Sequence, residues 1–379
     1  MTAFLTALCA ALIVSLAIVR TARSGSRTRA CLAETSGPQD FHVRTASRLG
    51  GLAIGLGVCF GLALGWNELG SRDRTLSLAL LGCALFVLAV GIVEDITQRV
   101  SPSMRLLAIT LAAAVAAWLL DARIDQTGLT WLDYLFEISA ISMGLTLLAV
   151  SGVANSINII DGFNGLASMC AAFILGAIAY VAMQVGDMLV LTLAVAALGA
   201  IFGFFMWNYP FGLVFLGDGG AYFLGFWIAE LGILLFQRNE AVSPLFPLLL
   251  CSYPVFETLF SMYRRKVIRG RPVGQPDAGH LHSLIYRRLM RWAVGRSDPT
   301  SQIRRNSMTS PYLWFICPLS VIPAVLCWDD TELLGVCIVG FCTIYVALYR
   351  SIVRFRTPRL LIRKATRWED VRADTESAR

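Results

Sequence analysis

Four short stretches hold residues whose type and spacing suit chemistry. Phe215-Leu216-Gly217-Asp218-Gly219-Gly220 sets one carboxylate among glycines at the start of an apolar run. Glycine lets backbone approach a ligand closely, and an ionised acid at the edge of a membrane span needs a partner or a task. A helix-entry turn capped by Asp218 explains these residues equally well. Glu94-Asp95 closes another apolar run. Two adjacent carboxylates are not both buried without a cation or a basic partner, whereas a solvated pair balanced by Arg99 needs neither. Asn155, Asn158 and Asp161 recur at three-residue spacing, which on a helix places them on one face. Gly162 and Gly165 then allow a tight turn, and simple capping of the next helix around Asn164 is the plainer alternative. His280-Leu281-His282 is a weak zinc spacing with no evident third ligand. Beside many arginines it suits donation to phosphate, and a solvated surface pair would need no function. Asp218 with Asp95, Asp161 or Glu94 makes an oxygen-rich site, which suits Mg²⁺, with Mn²⁺ as an admissible substitute. Metal and basic groups that neutralise a diphosphate are the working parts of phosphoryl transfer.

The elements that must position these residues are read from apolar runs. Of 379 residues 56% are hydrophobic and 15% charged, and the mean hydropathy is +0.66. Runs near the roughly 20 residues a helix needs to cross a bilayer recur along the whole chain. They fall at 2–20, 49–66, 76–93, 104–121, 134–154, 165–184, 187–207, 219–236, 242–262, 311–328 and 333–349. The expected fold is therefore all-α: a polytopic integral membrane helical bundle of about 11 transmembrane helices. One transmembrane catalytic domain spans 1–349 and includes a loop at 263–310, and a basic tail follows at 350–379. The ten cysteines form no CxxC or paired framework and read as small buried residues. The first run lacks a basic n-region, so it reads as a retained helix.

Charge sorts the connections. Twenty-eight of the 32 Lys and Arg residues lie in one alternate set of loops and in the tail; the other set holds only Arg72, Arg74, Arg123 and Arg238. The positive-inside rule places the first set in the cytoplasm, with the N-terminus outside and the C-terminus cytoplasmic. This asymmetry accounts for the net charge of +7 without nucleic acid. All four motifs and all three histidines belong to the basic set, so the expected active face is cytoplasmic.

In order and spacing these residues resemble the polyprenyl-phosphate N-acetylhexosamine-1-phosphate transferases of glycosyltransferase family 4. The resemblance rests on Arg48-Leu-Gly-Gly51, Glu94-Asp95, Asn155-x-x-Asn158-x-x-Asp161-Gly-Phe-Asn164-Gly-Leu166, Asn208 followed by Phe215-Leu-Gly-Asp218-Gly-Gly, and His280-Leu-His282, across roughly residues 40–290. It implies ten or eleven helices around a cytoplasmic cleft. It also implies transfer of a sugar-1-phosphate from a UDP-sugar to undecaprenyl phosphate, starting a cell-surface polysaccharide or the cell wall. By resemblance Asp218 binds Mg²⁺, with Asn158 beside it, and Asp95 lies near the metal and the lipid phosphate. Asp161 and Glu94 complete the catalytic acids. Asn155, Asn158, Asn164, His280, His282, His42 and Arg48 contact substrate, and Phe215 stacks on uracil. The implied partners are a UDP-N-acetylhexosamine, undecaprenyl phosphate and the lipid bilayer, with a homodimer admitted and nucleic acid excluded. The implied location is a bacterial inner membrane. Glu94 stands where the family has Asp, Asn164 where many members have Asp, Ser283 where several have a third histidine, and Leu213 where a basic residue is frequent. These departures point away from the peptidoglycan enzyme and towards a surface-polysaccharide initiator. The competing reading is a secondary transporter, which would place coupling acids near the midplane of repeated halves. A prenyltransferase would want paired DxxxD-type motifs, and none is seen.

Overall fold

A computed structural model describes residues 1–24, 46–268, 270, 279–290 and 299–354. Among them there is no strand; one isolated parallel bridge pairs Ser47 with Val214. Among the described residues ten helices are long and apolar enough to cross a membrane. The principal helices are α1 (Thr2–Ser24), α2 (Gly50–Gly65), α3 (Ser71–Thr97), α4 (Pro102–Leu119), α5 (Ser139–Ile160), α6 (Leu166–Val185), α7 (Met188–Asn208) and α8 (Gly217–Arg238). They are followed by α9 (Leu245–Leu250), α10 (Ser252–Tyr263), the single turn α11 (Leu281–Leu284), α12 (Pro299–Trp314), α13 (Pro318–Leu326) and α14 (Thr331–Val353).

α8 is the hub. Every residue from Gly219 to Phe236 is buried, and α2, α3, α5, α6 and α7 pack around it. A helix that is apolar on all sides has this fate. Small residues let the axes close up, as membrane helices require. A Cβ at Gly57 of α2 would lie 2.8 Å from the Ala200 Cβ of α7, and one at Gly61 would lie 2.9 Å from the Ala7 Cβ of α1. Several ends carry side-chain caps. Ser101 accepts from the Met104 N–H at 3.3 Å before α4, Asp187 from Val190 at 3.2 Å before α7, and Asp330 from Leu333 at 3.0 Å before α14. At the end remote from the motifs, Arg238 of α8 pairs with Asp187 at 2.8 Å and with Asp73 of α3 at 3.3 Å, locking three helices together.

Two sequence expectations need correction. The expected single span 242–262 is broken into α9 and α10 at Cys251, because Pro254 offers no N–H to the Leu250 carbonyl four residues before it. The expected loop 263–310 is partly helical, with α11 and the first three turns of α12 inside it. Two helices also outrun their apolar cores: α3 continues to Thr97 and α5 to Ile160. Glu94, Asp95, Asn155 and Asn158 therefore stand on helical turns, not in loops. The segment from 355 onward, including most of the basic tail, lies outside the described residues, as does His42.

Candidate active site

The N-termini of α2 and α8 are stitched together. Phe215 N–H donates to the Ser47 carbonyl at 2.8 Å, and the Gly50 and Gly51 N–H groups donate to the Phe215 and Leu216 carbonyls, both at 2.9 Å. Two otherwise orphaned α2 donors are satisfied in this way, and Arg48 is fixed beside the start of α8. Gly217 takes φ +76°, a left-handed conformation that suits glycine.

Asp95, in the last turn of α3, is 3% exposed. Its Oδ1 accepts from the Asp218 N–H at 2.9 Å and its Oδ2 from the Gly219 N–H at 3.0 Å. It caps α8 from a neighbouring helix, where the helix dipole favours negative charge. Arg48, Glu94 and Arg105 are its charged neighbours. The Asp218 carboxylate, left partly open, is gripped by the Arg105 guanidinium from the first turn of α4. Arg105 also lies 6.0 Å from the ring of Tyr222, whose hydroxyl accepts from Asn158 Nδ2 at 3.0 Å. Asp218 and Tyr222 are one turn apart on α8, so Asn158, Asp218 and Arg105 share one wall.

Asp161 follows α5 directly and is partly buried. Burial pushes its carboxyl up to about 7; nearby Asp95 adds to the shift and Arg48 opposes it. The turn that follows is clamped from two sides. Asn208 accepts from the Gly165 N–H at 2.6 Å and donates to the Val214 carbonyl at 2.7 Å, joining this turn to the segment before α8. From α12, Asn306 accepts from the Asn164 N–H at 3.0 Å, Ser310 donates to the Asn164 carbonyl at 2.6 Å, and Trp314 donates to the Gly165 carbonyl at 3.1 Å. His282 meets the turn from the other side. A Cβ on Gly162 would lie 3.3 Å from His282 Nε2, and the Phe163 and His282 rings meet edge-on at 5.6 Å.

Asp95, Asp161, Asp218, Asn158 and Arg48 thus converge at one end of the bundle, with His280 and His282 at the rim of the Asp161 turn. Asn155 is one turn behind Asn158 and partly buried. Glu94 borders the convergence as a charged neighbour of Asp95 and Tyr222, and its Oε2 accepts from the Val100 N–H at 2.7 Å. Asn164 is 5% exposed and donates to the Pro210 carbonyl at 3.2 Å, which makes it a turn-holding residue. Phe215 contributes its backbone to the stitch while its side chain stays partly exposed.

The model for the family described as "Glycosyl transferase family 4" matches residues 77–236, the stretch from α3 through α8. A Bacillus subtilis protein named probable undecaprenyl-phosphate N-acetylglucosaminyl 1-phosphate transferase is 31% identical over 242 residues, covering 64% of this chain and 66% of that one. Proteins named undecaprenyl-phosphate alpha-N-acetylglucosaminyl 1-phosphate transferase are similar too. The one from Thermotoga maritima is 30% identical over 37% of this chain and 42% of its own, and the one from Escherichia coli K12 is 27% identical over 63% and 65%. The chain belongs to glycosyl transferase family 4. It spans about two thirds of the Bacillus and Escherichia relatives' length and less than half of the Thermotoga protein's.

Three features of this family 4 site escape a reading of the sequence alone. Arg105 looks like one more positive-inside charge, yet it reaches Asp218. Tyr222 looks like membrane core, and its one-turn offset from Asp218 is the only sequence signal. Asn306, Ser310 and Trp314 lie about 145 residues from the turn they hold, and no local pattern announces them.

Proposed function

We propose that the chain transfers N-acetylhexosamine-1-phosphate from a UDP-sugar to undecaprenyl phosphate, giving the lipid-diphosphate sugar and UMP. The names of its relatives favour N-acetylglucosamine as the sugar. The observation that carries the reading is the meeting of Asp95, Asp161 and Asp218 with Arg48 and Arg105 at one end of an apolar bundle. A charged diphosphate is neutralised there, and a lipid chain stays in the membrane beside it. The basic loops surrounding this end favour a site facing the cytoplasm of a bacterial inner membrane.

In the reaction a lipid-phosphate oxygen forms a bond to the β-phosphorus of the UDP-sugar. The bond from that phosphorus to the bridging oxygen breaks, and UMP leaves with the electron pair. The attacking phosphate needs little help from a base, since a phosphate monoester's second pKa is about 6. Asp95, with both oxygens engaged by backbone, acts by fixing the start of α8. Asp161, poised near neutrality, is the carboxylate available to take up the remaining proton. Arg48 and Arg105 hold phosphate oxygens as charge shifts to the leaving group. Positioning supplies most of the acceleration in such transfers.

The donor set suits a hard divalent ion. Arg105 already marks Asp218 as a cation-attracting position, and Asn158 offers a further oxygen. Among the described residues no three His, Cys, Asp or Glu side chains stand together to hold a metal ion; an Mg²⁺ that keeps waters and shares substrate phosphates would not need such a cage. Asp218 with Asn158 would hold the ion, and when bound it would neutralise negative charge on the diphosphate.

The test is direct. Membranes carrying the protein are incubated with undecaprenyl phosphate, Mg²⁺ and a panel of UDP-sugars, and UMP release is followed. Release is expected with a UDP-N-acetylhexosamine and is expected to fall at least about 100-fold in Asp218→Ala. No release with any sugar, or full activity in that variant, sinks the proposal.

A further inference from the structure

Glu257 lies in α10, on a part of the bundle that contributes none of the three acids described above, and is 1% exposed. Its Oε1 accepts from two groups at the start of α11, the His280 Nδ1 at 2.9 Å and the Leu281 N–H at 3.0 Å. Its Oε2 accepts from the Tyr345 hydroxyl of α14. Tyr345 is 2% exposed. Both carboxylate oxygens are committed, and all three donors are protein groups. A second tie runs alongside: Arg264 donates to the Gly279 carbonyl and to the Tyr349 hydroxyl, and Tyr349 donates to Gly279 at 3.1 Å. Gly279, His280 and Leu281 are therefore fastened to α10, to Arg264 just after it and to α14 by buried bonds, and the charge-assisted ones are stronger than neutral ones.

The consequence passes through the histidines to the site. With Nδ1 on a carboxylate, the His280 ring is fixed in plane and tautomer, and Nε2 is the nitrogen on the far side. The His280 and His282 rings stack, with centroids 5.1 Å apart and planes 3° apart. His282 abuts Gly162, next to Asp161. A chain of contacts thus runs from α14 through Tyr345, Glu257, His280 and His282 to the Asp161 turn. Its first half is buried protein on every side, and only its last members reach the place where phosphates would lie.

We infer that Glu257 is a positioning residue that sets the His280–His282 pair against the Asp161 turn without itself touching substrate. The inference rests on the phosphotransfer reading above and adds to it a residue acting chiefly through His280. Partners behind a catalytic or ligating histidine commonly carry 10- to 100-fold of the function they support.

The experiment is a double-mutant cycle on the full chain, reading kcat and KM for UMP release from UDP-N-acetylglucosamine. Glu257→Ala is expected to lower kcat/KM about 10- to 100-fold. Glu257→Gln keeps an acceptor for His280 and Leu281 and turns its amide towards the Tyr345 oxygen, so it should recover to within about 5-fold of wild type. The Glu257→Ala/His280→Ala double variant should be no worse than His280→Ala alone, because residues acting as one unit are not additive. A general loss of packing would multiply with the loss of His280 and would not be rescued by the amide. Multiplicative losses, or a Gln variant as impaired as Ala, overturn the inference while leaving the transfer reading intact. A wild-type protein inactive with every UDP-sugar overturns the transfer reading and the inference with it. If Glu257→Ala fails to accumulate, Tyr345→Phe runs the same cycle: a 3- to 10-fold loss that vanishes on the His280→Ala background is expected, and one that persists there is contrary.

Discussion

At the scale of residues, the three acids have different work although their sequence contexts look alike. Asp95 is spent on two backbone N–H groups, Asp218 faces a guanidinium, and Asp161 has its acidity shifted by burial up to about 7. The last of these predicts a pH signature. The folded-state value lies above the ordinary carboxylate value of 3.8, so the fold favours the protonated form. That contribution to stability is complete below about pH 4 and is lost as pH rises through about 7. Asp161→Asn cannot ionise. Its thermal midpoint in detergent should match wild type near pH 4 and exceed it at pH 8, by the equivalent of up to about 4 kcal/mol. UMP release by the variant should fall only modestly, since the attacking phosphate needs little help from a base, and wild-type release should climb as pH passes through 7. A variant less stable than wild type at pH 8 would contradict the assignment. The residue types behind this were readable in the sequence: Asn155 and Asn158 do stand one turn apart on α5, with Asp161 just past its end. Which acid caps and which is free to react was not, because that depends on backbone donors some 120 residues away in the chain.

At the scale of elements, glycines decide how near the helices stand. The sequence suggested that Gly219 and Gly220 open backbone to a diphosphate. Instead they admit other helices: a Cβ on Gly219 would lie 2.9 Å from Ile92 Cγ1 of α3, and one on Gly220 would lie 2.8 Å from Gly51 Cα of α2. The apolar runs and their order were legible, since a bilayer imposes length and hydropathy on each span. The break at Cys251 and the extension of α3 and α5 past their apolar cores were not, since packing against neighbours settles them. Two substitutions in the same helix separate intrinsic preference from packing. Gly91→Ala puts a methyl group 2.6 Å from the Gly219 backbone nitrogen and 2.9 Å from the Asp218 carbonyl carbon, and neither can yield without moving Asp218. A loss of about 1–3 kcal/mol in stability is expected, with a larger loss of activity. Gly82→Ala meets nothing within 4 Å among the described residues and should raise stability by up to about 1 kcal/mol through helix propensity. Thermal unfolding followed by intrinsic fluorescence, with UMP release alongside, checks both; equal effects would mean that the α3–α8 approach is not tight.

At the scale of the whole molecule, reacting groups gather at one end, an ion-paired clamp around Arg238 holds the other, and α8 joins them. Midway along α8 stands one residue that fits neither end. Glu230 is 0% exposed, and neither carboxylate oxygen has a hydrogen-bond partner among the described residues; Cys83 of α3 is an ionisable neighbour. An unpaired acid at that depth is costly and is often a sign of function. It is also the sort of residue a coupled transporter would use, so it separates the two readings of the chain. A coupling acid in a transporter belongs near substrate and ion sites at the interface of two repeats. Glu230 instead sits in the closed packing of the hub, far along the helix from Asp218. If the molecule is a phosphotransferase with its chemistry at the end of α8, Glu230→Met removes an uncompensated polar group and fills similar space with a pliable side chain. The variant should then unfold at a higher temperature, by the equivalent of about 1–3 kcal/mol, and release UMP within about 2-fold of wild type. A variant that keeps its fold but loses turnover would show that the carboxyl takes part in the transfer cycle, and that the working part of the molecule reaches to its centre.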